Sequence, residues 1–360
     1  MSVSFPILDS DDINIEVPPV PSFVTLSLTN ICQQRCRFCY FNHEEAKHHP
    51  VEIPLEVVKR MTWLKYTKEI VICGNGEALM HHKYPDIIDT VRRNAPDASI
   101  MLYTNGLNLY GKNLSATIQC VDKVYISQNA IRKKTYENII YKGSYKRAMK
   151  NLELLSKMKP KDMHVQLGLI ACREALDDIY PLIDVASHYG FNAVRIGSYI
   201  QPIYKFSYAL PEDSWCDITK EIDLEKLLSY AKAKNIELEC ISKNNSNPNI
   251  CFHPYIYIWL HLDSKGRRCI TYCTSGDPNI SVSEDELWNL DKIWNNERVR
   301  LIRNTINNRF ELYKNKMCLA CRLVNKTLPD QERNNALQSL GIENTSTGCM
   351  GVALPPLHLE

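Results

Sequence analysis

No apolar run in the 360-residue chain is long enough to cross a bilayer. No basic start followed by an apolar core opens it. The first twenty residues, MSVSFPILDSDDINIEVPPV, are acidic and proline-rich, so no secretory signal is read there and a cytoplasmic location is expected. Long low-complexity stretches are missing, as is any close repeat that would build a solenoid. An excess of one charge is missing too. The 43 Lys and Arg against 41 Asp and Glu leave a net charge of +2. Such a balance gives no field to gather nucleic acid or an anionic membrane, and neither partner is expected. The densest basic stretch, RKKTYENIIYKGSYKR (132–147), reads as a solvated helix face. What remains is a soluble globular composition, 44% apolar and 23% charged, with length for one large domain or two ordinary ones.

Cysteine, by contrast, is plentiful, with 14 residues. In a reducing compartment clustered cysteines point to metal binding or chemistry rather than cross-links. Three of them fall within CQQRCRFC: Cys32, Cys36 and Cys39, just after the strand-like FVTLSLTN (23–30). Chance gives the spacing CxxxCxxC about 0.02 times in such a chain, so spare thiols are a poor account.

Strand-like runs at 23–29, 69–74, 99–106, 123–130, 164–171 and 193–200 alternate with amphipathic stretches near 54–66, 83–95, 111–119, 132–157 and 176–189. Six β/α units in succession predict an α/β fold, with parallel strands and helices outside. In parallel β/α barrels the chemistry sits on loops at the C-terminal strand ends. The three cysteines follow the first strand, GNGE (74–77) the second, TNG (104–106) the third and SQN (127–129) the fourth. These groups are expected on one rim. After residue 200 the order changes to a linker (201–215), a helix near 217–234, the short strand IELEC (236–240) and a second break (242–249). A hairpin (255–273) and a helix near 285–307 follow.

Three thiolates are one short of the four that complete an iron–sulfur cluster. A [4Fe–4S] cluster so held has one open iron, able to bind and activate a small molecule. A structural zinc ion would need a fourth ligand, which His43, His48 or His49 could supply. The run Cys32-x-x-x-Cys36-x-Phe38-Cys39, at the end of the first strand of a β/α series and followed by GNGE after the second, resembles the radical S-adenosylmethionine (radical SAM) superfamily over about residues 20–200. The resemblance implies a partial (β/α)6 TIM-like barrel. It also implies reductive cleavage of S-adenosyl-L-methionine to a 5′-deoxyadenosyl radical, fed by an external electron donor such as flavodoxin or ferredoxin. It puts Gly74, Asn75, Gly76 and Glu77 beside the methionine part of the cofactor. The glycines would allow close approach. Glu77 would pair with the ammonium, unless it serves as the acid of a helix N-terminus. Ser127 and Asn129 would face the ribose, Phe38 and Ile170 the adenine, with Asn105 on the same rim. Relatives often carry an arginine about twelve residues after the fourth-strand serine. Ile139 stands there, and Lys133, Lys134 and Lys142 remain unassigned substitutes.

A second set comprises Cys251, Cys269, Cys273, Cys318 and Cys321. CxxC with distant cysteines reads as a zinc ribbon. Yet CFHP (251–254), RRC (267–269), NIS (279–281), IWNN (293–296), RLIR (300–303) and CLAC (318–321) resemble the SPASM extension or its four-cysteine form, twitch. That resemblance implies one auxiliary [4Fe–4S] cluster on Cys251, Cys269, Cys318 and Cys321, with Cys273 as the alternative to Cys269. The usual turn glycine falls at Ser264, with Gly266 two residues later. The implied division is an extension (1–20), the barrel (21–215), a connecting helix and strand (216–249), the twitch/SPASM-like domain (250–325) and a tail (326–360). Cys172, just past the fifth strand, is a candidate hydrogen donor to a substrate radical. By analogy the expected reaction is peptide modification: oxidation, cross-linking or epimerisation in ribosomal peptide maturation. The alternative is a dehydrogenase or epimerase of a small metabolite of the amino sugar or aminocyclitol type. A non-enzymatic metal-binding protein is the third reading, and the open-iron motif at a strand end argues against it.

Overall fold

Short apolar runs bounded by polar loops become the strands of one large sheet. The computed structural model describes residues 17–39, 41, 43–198, 209–214, 218–240, 253–272 and 280–305. In chain order the strands are β1 (Phe23–Leu26), β2 (Arg35–Cys36), β3 (Glu69–Ile72), β4 (Ser99–Thr104), β5 (Lys123–Ser127) and β6 (Ile140–Tyr141). Then follow β7 (His164–Ala171), β8 (Ala193–Ser198), β9 (Glu237–Cys240), β10 (Tyr257–Leu262), β11 (Arg268–Thr271) and β12 (Ile280–Ser281). The ten-stranded sheet runs β12-β11-β10-β1-β3-β4-β5-β7-β8-β9. From β10 to β9 every neighbouring pair is parallel, and only β10-β11 and β11-β12 are antiparallel.

The six expected parallel strands thus stand side by side in chain order, and the sheet extends past both ends of that series. IELEC supplies the seventh strand, β9, beside β8. The hairpin expected at 255–273 does not stand apart. Its first strand, YIWLHL, is buried at every residue and pairs with β1. The turn is made by Gly266 at φ +73°, not by Ser264, because the backbone there enters the left-handed region that glycine tolerates. Asp263 accepts from the backbone of Lys265 and Arg267 and closes the turn.

Helices α1 (His43–His48), α2 (Leu55–Arg60), α3 (Tyr84–Asn94), α4 (Gly111–Cys120), α5 (Lys133–Ile139), α6 (Tyr145–Met158) and α7 (Ile179–His188) link the first strands. Their apolar positions recur at helical spacing, as with Tyr84, Ile87, Ile88 and Val91 of α3 or Ala148, Leu152 and Leu155 of α6. Each large side chain so buried contributes about 1.5–3 kcal/mol.

The stretch 132–157 is not one helix. It breaks into α5, β6 and α6 because Ile140 and Tyr141 pair with Cys36 and Arg35, and Lys142 turns at φ 60°. Ser144 then caps α6 by accepting from the Arg147 backbone. The helix expected near 285–307 likewise divides, into turns at Glu284–Glu286 and Leu290–Ile293 and a helix at Glu297–Thr305. Asn289 caps the middle piece. No described helix is long and apolar enough to cross a membrane.

Candidate functional site

The loop after β1 carries Cys32, Cys36 and Cys39 and is held on three sides. The first side is the loop after β3. Cys73 N donates to Leu26 O at 3.1 Å, and Glu77 N donates to Ile31 O at 2.8 Å. The two loops lie so close that a Cβ on Gly74 would stand 1.9 Å from Ser27 Oγ. One on Gly76 would stand 2.4 Å from Thr29 O and 2.6 Å from Ile31 O. Both glycines therefore serve a close approach of chain to chain.

Helix α5 and its exit form the second side. Strand β2 pairs with β6, Cys36 opposite Ile140, and Arg37 N donates to Ile139 O at 2.9 Å. Ile139 is fully buried. Asn30, itself buried, anchors the third side. Its Nδ2 donates to His49 O at 2.9 Å and to Asp263 O of the hairpin turn at 3.0 Å, and its Oδ1 accepts from Val51 N at 2.9 Å. Within the loop, Arg35 donates to the carbonyls of Cys32 at 2.6 Å and Gln34 at 2.7 Å, while its Nε meets Glu44 at 3.1 Å.

The three thiols are partly buried and none is in a disulfide. They are close enough to affect one another. Burial first, then Cys39 and Cys32, push the Cys36 thiol well above its ordinary value. Burial, with Glu77 second, takes Cys32 up to about 12, and burial takes Cys39 to about 11. Such thiols stay protonated until a cation draws the sulfur charge. Among the described residues the one trio of His, Cys, Asp or Glu donors within 4.8 Å of one another is Glu52, His81 and His82. The three cysteines are spread more widely than ligands sharing one zinc ion at about 2.3 Å. Three cysteine sulfurs are the kind of donor set that holds an iron–sulfur cluster with one open iron. His43 is buried beside it, with Nε2 at 3.1 Å from Cys39 Sγ. Burial, then Arg35, lowers the imidazole to about 4.

Glu77 caps the turn Ala78–Met80 and is buried. Its carboxylate accepts from Leu79 N at 3.2 Å, Thr104 Oγ1 at 2.7 Å and Asn105 N at 2.7 Å. Burial raises its pKa against those bonds. The residue thus fastens the ends of β3 and β4 together, with the dipole-facing position that a capping acid takes. Asn75 Nδ2 donates to Leu262 O at 2.9 Å, tying the same loop to β10. Asn105 reaches the cysteine loop, its Oδ1 accepting from Gln33 Nε2 at 3.0 Å and its Nδ2 lying 3.7 Å from Cys32 Sγ.

Ser127 ends β5 and Ile170 lies in β7, both partly exposed. Asn129, at φ 62°, bridges these strands. Its N donates to Gly168 O at 2.8 Å, its Nδ2 to Ser127 O at 3.0 Å, and its Oδ1 accepts from Ile170 N at 3.2 Å. Phe38 packs partly buried against the core. Gly74 to Glu77, Asn105, Ser127, Asn129 and Ile170 thus sit at or just past strand ends on the rim of the cysteine loop. Cys172 is different: it has no exposed surface and belongs to the hydrophobic core. Cys269 is buried in β11, opposite His261, its thiol 3.7 Å from Arg267 O. Cys251, Cys273, Cys318 and Cys321 lie outside the described residues.

Sequence reading missed a buried polar group on the sheet. Arg195 of β8 is buried, donates from Nη1 to Tyr103 OH at 3.1 Å, and lies 3.6 Å from Glu239 Oε2 of β9. Its guanidinium stands 5.8 Å from the Tyr125 ring centre, and the Tyr125 ring lies tilted against Tyr103 at 4.6 Å between centres. Gln166 Nε2 donates to the same Glu239 oxygen at 3.1 Å. The signal was present as a charged residue in the middle of the apolar run AVRIGS.

Residues 26–184 match the Radical SAM superfamily model. A probable GTP 3′,8-cyclase of Saccharolobus islandicus is 19% identical over 173 residues, 48% of this chain and 54% of that protein. The GTP 3′,8-cyclase of Paenarthrobacter nicotinovorans is 28% identical over 120 residues, 32% of this chain and 33% of that protein. The chain thus spans about half the length, or less, of these curated relatives. Among solved structures, Streptococcus suis SuiB superposes with TM-score 0.58 at 12% identity, over 79% of this chain and 68% of that one. Native anSMEcpe with bound AdoMet gives 0.56 at 11% identity, over 77% and 81%. At such identities the likeness is one of fold, a mixed α/β architecture on a large parallel sheet. The family implies a [4Fe–4S] cluster and S-adenosylmethionine. The matched segment runs from Leu26, the last residue of β1, into α7 and includes all three loop cysteines, so residues 26–184 match a radical SAM domain and the chain is an enzyme.

Proposed function

We propose that the enzyme binds a [4Fe–4S] cluster through Cys32, Cys36 and Cys39 and modifies a peptide by radical chemistry. The observation that carries this reading is the loop clamped on three sides, with its three thiols grouped at the C-terminal rim of a parallel sheet. When bound, the cluster and S-adenosylmethionine supply the electron and the 5′-deoxyadenosyl radical that takes a substrate hydrogen. The chain's part is to hold the loop, orient the cofactor from Asn105, Ser127, Asn129 and Ile170, and exclude competing reactants. A small donor such as flavodoxin or ferredoxin delivers the electron. Support for a peptide comes from the company of the fold. Its neighbours include SuiB bound to precursor peptide SuiA, at TM-score 0.59, and anSMEcpe with AdoMet and the Cp18Cys peptide, at 0.53.

Cys269, with Cys251, Cys318 and Cys321 (or Cys273 in place of Cys269), is proposed to hold one auxiliary [4Fe–4S] cluster. About eight irons per chain support it; about four irons with one zinc defeat it. The polar wall of Arg195, Glu239, Gln166 and Tyr103 favours a second reading, a small hydroxylated amine oxidised or epimerised at one carbon. Reconstituted, reduced protein given size-fractionated cell extract separates the two. Protease-sensitive, peptide-sized stimulation of 5′-deoxyadenosine release upholds the peptide. Stimulation by a small, protease-resistant fraction overturns it.

A further inference from the structure

We propose that His43 is a positioning residue for the cluster, donating an N–H···S hydrogen bond from Nε2 to the Cys39 sulfur and so making the cluster easier to reduce. The inference rests on the three-cysteine loop holding the cluster. Nε2 lies 3.1 Å from Cys39 Sγ, well inside hydrogen-bonding reach for sulfur. The side chain is held in place from two directions. It is buried, and the Phe41 ring meets the imidazole edge-on at 5.0 Å between centres. The tautomer follows from the chemistry. A thiolate that ligates iron carries no proton, so the bond between the two atoms must be donated by the imidazole, and Nε2 carries the hydrogen. Nδ1 is then the bare nitrogen, and it has no hydrogen-bond partner among the described residues. A buried imidazole that uses one nitrogen on sulfur and leaves the other unmatched is aimed at that sulfur rather than at the loop backbone.

The consequence is electrostatic. Reduction adds one negative charge to the cluster, spread partly onto its sulfur ligands. A fixed donor stabilises the reduced form more than the oxidised form, one of the levers by which proteins set cluster potentials. A hydrogen bond to a charged acceptor is worth roughly a factor of ten or more in an equilibrium.

The test is an EPR-monitored redox titration of anaerobically reconstituted full-length protein, following the signal that changes when S-adenosylmethionine is added. At a fixed poise His43→Phe should lower the ratio of reduced to oxidised cluster about tenfold, equivalent to about 59 mV for a one-electron couple. His43→Gln, which keeps a donor, should recover part of the shift. A residue that merely filled space would leave the potential in place, so equal potentials in wild type and His43→Phe at equal iron content overturn the inference. Wild-type protein labelled with ¹⁵N-histidine gives a reading that needs no variant to load. A weak nitrogen coupling in pulsed EPR is expected. The strong coupling of a nitrogen bound to iron, or no coupling at all, overturns it. Absence of iron from the three-cysteine loop is a separate result and defeats the cluster reading itself.

Discussion

The loop after β1 and the loop after β7 both carry cysteine at the same rim, and they treat it in opposite ways. Cys32, Cys36 and Cys39 stand partly exposed on a backbone whose polar groups are tied to three other segments. Cys172 has no exposed surface and belongs to the same hydrophobic core as Ala171, Ala175 and Ile179, all buried. Neighbouring charge and clamps to three other segments mark the first set; full burial in the core marks the second. The difference teaches that thiols at strand ends on one rim can stand in opposite surroundings.

The sharpest way to break that comparison is to exchange an alanine into each class. Cys36→Ala should reduce S-adenosylmethionine cleavage to background and leave the three-cysteine loop without a stable cluster, read as 5′-deoxyadenosine release and iron content. Persistent cleavage would refute the assignment. Cys172→Ala should cost about 1 kcal/mol of stability in urea unfolding, as loss of a small buried group does, with cleavage unchanged. A product altered in stereochemistry at unchanged cleavage would instead give Cys172 the hydrogen-donor role.

A smaller effect probes the clamp. Gly76→Ala puts a methyl group into the carbonyls of Thr29 and Ile31. Overpacking of this kind costs about 1–3 kcal/mol, and because the displaced atoms belong to the cysteine loop, iron loading should fall together with the unfolding midpoint. Unaltered iron content in a destabilised variant would show that the glycine serves packing alone.

The smallest effect lies at the opposite end of the same strands. Glu69 is buried at the start of β3 with Oε1 unpartnered among the described residues. Burial raises its pKa above the ordinary 4.5, and Lys123 only partly offsets this. The neutral form is therefore favoured on folding. Its contribution is fully present below about pH 4.5 and is lost as pH rises through the raised value. Glu69→Gln should raise the urea midpoint at neutral pH, and the advantage should fade on acidification. A pH-independent difference would mean the carboxylate is not the cause.

Much of this was legible in the chain. Parallel strands buried on both faces read as plain apolar runs, which is why EIVI and HVQLGLIA stand out and why six units could be counted. The cysteine spacing needed no structure either. What sequence could not carry was set by partners far along the chain. Glu77 reads as an acid at a loop after the second strand, but that its oxygens accept from Thr104 and Asn105, 27 and 28 residues away, is visible only in the fold. The stretch 132–157 has helical periodicity throughout, yet two of its residues pair with Arg35 and Cys36 and interrupt it. Tertiary pairing outweighs local propensity there.

Asn30 joins residues 233 positions apart, from the cysteine loop to the hairpin turn. At about 5–20 residues per second, a ribosome takes roughly 10–50 s to make the chain between them. During that time β1 can pair with β3 but has no β10 beside it, and one wall of the cysteine loop is not yet made. The nascent protein therefore passes through an interval in which the sheet's first strands exist and the cysteine loop is unfinished. The last clamp closes only when the hairpin arrives, so the timing of synthesis sets the earliest moment at which the loop can take its final shape.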